Sequence, residues 1–239
     1  MTLHLEETWE WLTTSPLFGI TLTLAAYAGA RQLWERTGRH PSLNPVMVAV
    51  VITGGTLLLL GVDYEDYMVG GNWFTFLLGP ATVALALPLH YEAGLVRKAA
   101  LPILLGIVVG SVVSVVVAYT VTRALGGDEG LALSMAPKSA TTPVSLALSE
   151  AFGGIPALTA VFTILAGVLG AVAGPAVLSL FRVRDLRVRG LAIGAVSHGV
   201  GTSRALEDHP TEGAFSALAM ALTALATAVV LPVVLLVLG

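Results

Sequence analysis

Long charge-free stretches alternate with short charged connections along the whole chain. Six of them are long enough to cross a hydrocarbon layer of about 30 Å: Trp11–Ala30, Pro41–Val62, Tyr67–Tyr91, Ala99–Thr122, Ala151–Phe181 and Gly213–Gly239. Two more segments, Leu131–Glu150 and Gly190–Glu207, are interrupted by polar residues, glycine or proline. The pattern predicts an all-α polytopic membrane protein with about six full transmembrane helices plus two broken, re-entrant segments. It reads as a single domain over 1–239, with a four-span N-terminal half (1–122) and a C-terminal half (131–239). No segment has the composition of a soluble linker.

The connections set an orientation. Arg31, Arg36 and Arg39 share one loop, Arg97 and Lys98 a second, and Arg182, Arg184, Arg187 and Arg189 a third. Acidic connections lie between them: Asp63, Glu65 and Asp66, then Asp128 and Glu129. The positive-inside rule puts the basic loops in the cytoplasm and both termini outside. The stretch Ala151–Phe181 must end inside, so it starts outside, and Leu131–Glu150 then dips into the membrane from outside and returns. The same logic makes Gly190–Glu207 a hairpin from the inside. The first residues, MTLHLEETWEW, hold Glu6, Glu7 and Glu10 and no basic residue, unlike a secretory signal, so the first apolar stretch is expected to be retained.

Composition narrows the function classes. The chain is 56% hydrophobic and 11% charged, against about 25% charged in ordinary soluble proteins. A net charge of −3 argues against nucleic-acid binding, and the absence of cysteine excludes disulfides and thiolate metal sites. There is no nucleotide loop, zinc helix or serine triad, and His90 with Glu92 is too small a set to hold a metal. The expectation is a non-enzyme without cofactor or metal.

An internal repeat adds a mechanism. An offset of 57 positions aligns Glu150 with Glu207, Ala157 with Ala214, Ala160 with Ala217 and Pro175 with Pro232, without a gap. Each unit is one broken segment plus one full span, and one crossing per unit inverts the second relative to the first. Inverted repeats with broken segments near the midplane characterise secondary transporters.

The breaks hold the candidate chemistry. The first reads Ala136-Pro137-Lys138-Ser139-Ala140-Thr141-Thr142-Pro143. Two prolines six apart cannot share one regular helix, and Thr142-Pro143 suits the N-cap and first position of a new half-helix. The open N–H groups of that half-helix favour an anion. A lysine at membrane depth costs about 2.5–3.5 kcal/mol on insertion scales, so Lys138 either holds an anion, snorkels to an outer headgroup or pairs with Glu150. The second break reads Ser197-His198-Gly199-Val200-Gly201-Thr202-Ser203-Arg204. Its glycines permit irregular backbone, which membranes tolerate only where it lines a cavity or is buried in protein. His198 is either a proton carrier or an ordinary hydrogen-bonded core histidine. Arg204 either clamps a carboxylate or snorkels to the surface. Trp9, Trp11, Asn72 and Trp73 read as interfacial belts, and Gly106, Gly110, Gly167, Gly170 and Gly174 as close helix packing.

At both breaks the chain resembles the LrgB/CidB family. The stretch APKSATTPVSLALSEAFGGIPALTAVFTILAGVLGAVAGP, Ala136–Pro175, is similar to the family's first motif. GLAIGAVSHGVGTSRALE at Gly190–Glu207, with GAFSALAMALTALATAVVLP at Gly213–Pro232, is similar to the second, and the likeness extends through NPVMVAVV at Asn44–Val51 and LGPATVALALPLH at Leu78–His90. The resemblance implies residence in the inner (cytoplasmic) membrane and two competing functions. Bacterial members are named as antiholin-like modulators of murein hydrolase activity and autolysis. A similar plastid protein, a glycolate/glycerate translocator, joins an LrgB-like half to an LrgA-like half, and some bacterial pairs are linked to pyruvate movement. A small LrgA/CidA-like membrane partner is thereby implied, and a homo-oligomer is compatible. The break chemistry fits the transporter better, since a pore needs neither an inverted repeat nor a cation at a midplane break. On that reading Lys138, Ser139, Thr141, Thr142 and Pro143 meet Ser197, His198, Gly199, Gly201, Thr202 and Arg204 around a short carboxylate, with protons as the coupling ion.

Overall fold

The computed structural model describes residues 2–38, 43–84 and 86–238, and all regular structure among them is helical. The beginning of the Pro41–Val62 stretch lies outside the described residues. Contacts divide the chain into two compact units, Met1–Ala84 and Leu85–Gly239.

The first unit holds α1 (Thr2–Thr13), α2 (Pro16–Arg36), α3 (Pro45–Leu60) and α4 (Tyr64–Ala84). Local sequence sets these bounds. Ser15 caps α2 ahead of Pro16, and Asn44 caps α3 ahead of Pro45, its Oδ1 accepting from Val46 N at 2.9 Å. Gly61, at φ 64°, closes α3 in the left-handed conformation. α2 and α4 cross in backbone contact at Gly19 and Gly70, where a Cβ on Gly70 would lie 2.3 Å from the Pro16 carbonyl. The Thr23 and Tyr67 hydroxyls bond at 2.7 Å beside that crossing.

The second unit holds α5 (Ala86–Tyr91), α6 (Ala93–Lys98), α7 (Ala100–Ala124), α8 (Glu129–Met135), α9 (Thr142–Phe152), α10 (Pro156–Leu180), α11 (Leu186–Asp208) and α12 (Pro210–Leu238). The Tyr67–Tyr91 stretch is therefore not one helix but α4 followed by the short α5. Among the described residues three helices are long and apolar enough to cross a membrane: α7 and α10, of 25 residues each, and α12, of 29. α3 is apolar but has 16 residues.

The second unit is inverted relative to a soluble protein. Its large apolar side chains, such as Leu104, Leu105, Leu169, Leu225, Val229 and Leu236, are exposed. Its interior holds many alanines and hydroxyls around a few larger side chains such as Phe215 and Leu231: Ser111, Thr159, Thr163, Ser216, Thr223 and Thr227 are all buried. Small residues let helices approach, and the lipid takes the place of water outside. The chain is a helical membrane protein.

Both broken segments fold as helical hairpins that return to the end from which they start. In the first, Ile155 N, just before α10, donates to Ser134 Oγ of α8 at 2.7 Å, and Thr159 of α10 bonds Ser149 Oγ of α9 at 2.7 Å. In the second, the two halves of α11 lie on α12 in opposite directions. Gly190 and Gly194 pack on the Glu212 and Ser216 carbonyls, and Thr202 returns to Ser216 Oγ at 2.9 Å. Arg189 Nε lies 3.5 Å from Glu212 Oε1, tying the start of α11 to the start of α12. A Cβ on Gly194 would sit 2.0 Å from the Ser216 carbonyl oxygen. Gly194→Val is therefore expected to prevent stable folding, whereas Gly106→Ala, with nothing within 4 Å of its Cβ position, is expected to be tolerated. Size-exclusion profiles and melting curves of the purified variants check this. Gly194→Val protein as stable as the parent would contradict the packing.

At the foot of the second hairpin Arg187 Nε donates to Asp185 Oδ1 at 2.9 Å, and this hydrogen bond holds the Asp185 carboxyl down to about 2. A depressed carboxylate contributes stability that is fully present above its ordinary value near 3.8 and is lost as pH falls through about 2. Between pH 5 and 8 the pair is expected to give no pH dependence, so Asp185→Asn should leave the slope of melting temperature against pH unchanged there.

Candidate functional site at the junction of two hairpins

The first hairpin turns where its prolines forbid a continuous helix. α8 stops at Met135 and α9 starts at Thr142. The N-cap is Thr141, one residue earlier than the sequence pattern suggests. Pro143 thus falls in the first helical turn without being its first residue, where its missing N–H still costs no intrahelical bond. No side chain caps α9, which leaves its first N–H groups without a side-chain acceptor at the break. The turn itself is held by Ser145 Oγ, which donates to the carbonyls of Pro137 at 2.7 Å and Ala140 at 3.0 Å.

Lys138 projects from this turn. Its Nζ donates to Ser114 Oγ of α7 at 3.4 Å, and Ser114 Oγ lies 2.5 Å from Ser139 Oγ. Among the described residues no carboxylate pairs with Lys138; Glu150 is exposed near the far end of α9.

The second hairpin turns at one residue. His198 has φ 49° and ψ −135°, while Gly199 and Gly201, expected to supply the irregular backbone, are helical. A non-glycine residue in that region costs on the order of 1–3 kcal/mol and persists only where its surroundings enforce it. The imidazole lies beside the backbone of Lys138 and Ser139, so the two turns meet. A Cβ on Gly167 of α10 would lie 3.2 Å from His198 Nδ1, so the ring packs tightly against the helix backbone there. Among the described residues His198 Nε2 and the hydroxyls of Ser197, Ser111 and Thr163 are buried without a hydrogen-bond partner. Unpaired buried polar atoms are few in native proteins, and each calls for a reason.

α10 fixes the geometry of the junction. It starts at the foot of the first hairpin, passes His198 at Gly167, and ends near the foot of the second, where Arg189 Nη1 reaches Ser179 Oγ at 3.4 Å. Twenty-five residues at about 1.5 Å each give roughly 37 Å, and Gly167 lies at its middle.

The comparisons with known proteins agree with the break motifs. The profile of the LrgB-like family matches residues 23–237. The chain belongs to the LrgB-like family. Similar relatives include YwbG of Bacillus subtilis (strain 168), 38% identical over 88% of this chain and 93% of its own, and YxaC of the same strain, 40% identical over 86% and 89%. The protein called antiholin-like protein LrgB of Bacillus mycoides (strain KBAB4) is 36% identical over 92% of this chain and 96% of its own. No solved structure matches.

In this LrgB-like chain the residues singled out from sequence divide into four groups. Lys138, Ser139 and His198 come together at the turns, Thr141, Thr142 and Pro143 open α9 just after them in the chain, and Ser197, next to His198, packs its hydroxyl against Gly170 of α10. Gly201 and Thr202 brace the second turn: a Cβ on Gly201 would lie 2.3 Å from Ser197 Cβ, and Thr202 Oγ1 donates to the His198 carbonyl at 2.7 Å. Gly199 is exposed, with open space about it. Arg204 lies apart. Its Nη1 donates at 2.8 Å to the Ala171 carbonyl, the group that Pro175, four residues on, leaves without an intrahelical donor. Its Nε is 3.8 Å from Asp208. Sequence reasoning missed Ser111 and Ser114, whose signal is two hydroxyls one turn apart within the apolar stretch Ala100–Ala118 of α7.

Proposed function

We propose that this protein is a secondary transporter of short monocarboxylates, of the glycolate, glycerate, lactate or pyruvate class. The observation that carries the reading is Lys138, a cation without a carboxylate partner among the described residues, at the middle of the spanning bundle. An anion there would accept from Lys138 Nζ, from the Ser139 hydroxyl and from the open N–H groups of α9, and the half-helix dipole adds to the attraction. The unpartnered hydroxyls and His198 Nε2 suit a 2-hydroxy or 2-oxo group. Proton coupling through His198 follows from energetics, because an anion moving inward opposes the membrane potential by about 2.3 kcal/mol per 100 mV. In this reading the chain makes about six crossings of the cytoplasmic membrane with both termini outside. The hairpins enter from opposite faces as inverted repeats, and a small LrgA-like protein is the candidate partner.

A thermal-shift screen of the purified chain against short carboxylates tests the reading. A shift with at least one short monocarboxylate, absent with the matching alcohol or amide, is expected; no shift with any of them would contradict it. His198→Gln is expected to bind the same carboxylate while losing the pH dependence of uptake. The name of the Bacillus mycoides relative favours a second reading, in which the protein is an antiholin-like modulator of murein hydrolase activity and autolysis. Cell-lysis assays that respond to deletion of the chain but not to Lys138→Ala would favour it.

A further inference from the structure

The second unit contains a groove that the central site does not use. It lies between α7 and the first half of α11, has a volume of about 580 Å³, and is lined by Ala99, Gly106 and Gly110 on one side and Leu191 and Ala195 on the other. The floor is Phe215 of α12. Almost every lining group is apolar, and the polar ones gather at one end, where Asp185 and Arg187 stand. Arg97 and Lys98, both exposed, close α6 immediately before Ala99 at that same end.

Length and charge select the occupant. From Ala99 to Gly110 the groove follows α7 for roughly 17 Å at 1.5 Å per residue, about the depth of one leaflet in a hydrocarbon core of about 30 Å. A partner helix would need a seam along the full thickness. An acyl chain needs only one leaflet, and its headgroup would meet Arg97, Lys98 and Arg187. Asp185 is the one anion lining the groove, and Arg187 neutralises it through Nε and Nη2 while its Nη1 remains free of any intramolecular bond among the described residues. The surplus at the mouth is basic. We infer that this groove binds an anionic phospholipid from the leaflet on the basic side, one acyl chain lying along Gly106 and Gly110 and the phosphate at Arg97, Lys98 and Arg187. The inference is independent of what the central site carries. Because one wall of the groove is the descending half of the second hairpin, an occupied groove supports the half-helix that ends at Ser197.

The test uses the full chain, delipidated in detergent, with dioleoyl phosphatidylglycerol or dioleoyl phosphatidylcholine as probe and native mass spectrometry plus melting temperature as readouts. Phosphatidylglycerol is expected to bind several-fold more tightly and to raise the melting temperature more. Arg97→Gln with Lys98→Gln should weaken phosphatidylglycerol by about fivefold per charge removed while leaving phosphatidylcholine unchanged. Gly106→Leu, whose side chain fills the groove and whose Cβ position meets nothing within 4 Å, should lose the bound lipid of both kinds without lowering the lipid-free melting temperature. Equal binding of the two lipids, or undiminished phosphatidylglycerol binding in both variants, would overturn the inference. A change from oligomer to monomer in Gly106→Leu would also overturn it, by making the groove a seat for another helix.

Discussion

Replacing Lys138 by alanine is expected to remove carboxylate binding and uptake together while leaving the protein folded. The ammonium makes one long contact, 3.4 Å to Ser114 Oγ, and no ion pair among the described residues. Removing it therefore breaks little that holds the bundle together, and it relieves the cost of a cation at membrane depth. What disappears is a charge-assisted bond to the ligand, worth about 1.5–3 kcal/mol, which is roughly ten- to 150-fold in affinity. Lys138→Arg keeps the charge but not the compact shape, and should retain part of the binding. The checks are titration of the best-binding carboxylate by calorimetry and the melting temperature of each variant. If Lys138→Ala binds as well as the parent, the anion site is elsewhere. If it fails to fold, Lys138 is structural.

His198→Gly is expected to be more stable than His198→Ala, while both impair the protein. The backbone at His198 occupies a region in which glycine is unstrained, at φ 49° and ψ −135°. Relieving that strain gains on the order of 1 kcal/mol or more, and against it in both variants stands the loss of a buried ring that packs at Gly167 and beside the Lys138 and Ser139 backbone. His198→Ala removes the same ring but keeps the strain, so its melting temperature should fall below that of His198→Gly. Both should show the same defect in pH-dependent uptake. A residue kept where glycine fits better is a residue kept for its side chain, and the comparison of the two variants separates that role from the fold. Equal melting temperatures for the glycine and alanine variants would mean the backbone there is not strained.

What could be read from the sequence follows from how local its causes are. The helices, their caps at Ser15, Asn44 and Asp128, and the turn between Pro137 and Pro143 are each dictated within a few residues. At the 57-position offset Ser145 corresponds to Thr202, and each hydroxyl bonds a carbonyl of its own hairpin. The site was legible only in part. The glycines near His198 suggested a glycine-built break, yet the irregular residue is the histidine, because the ring is fixed from outside by Gly167 and by the first hairpin. Arg204 resembled a carboxylate clamp, but its main-chain partner exists only because Pro175 frees a carbonyl on another helix. Ser111 and Ser114 were passed over because a hydroxyl in an apolar helix gives no hint of which face meets a distant lysine. Contacts between segments far apart in sequence are what periodicity and motif cannot supply.

The central claim is that a short monocarboxylate crosses the membrane through the junction of the two hairpins. The most direct measurement is uptake of labelled glycolate, lactate and pyruvate into proteoliposomes holding the purified chain, with and without an LrgA-like partner, under an imposed inward proton gradient. The account predicts uptake of at least one of them above protein-free vesicles, faster with the gradient and absent in Lys138→Ala. Vesicles that take up none of them under any of these conditions, or that take them up equally well with Lys138→Ala, would contradict it.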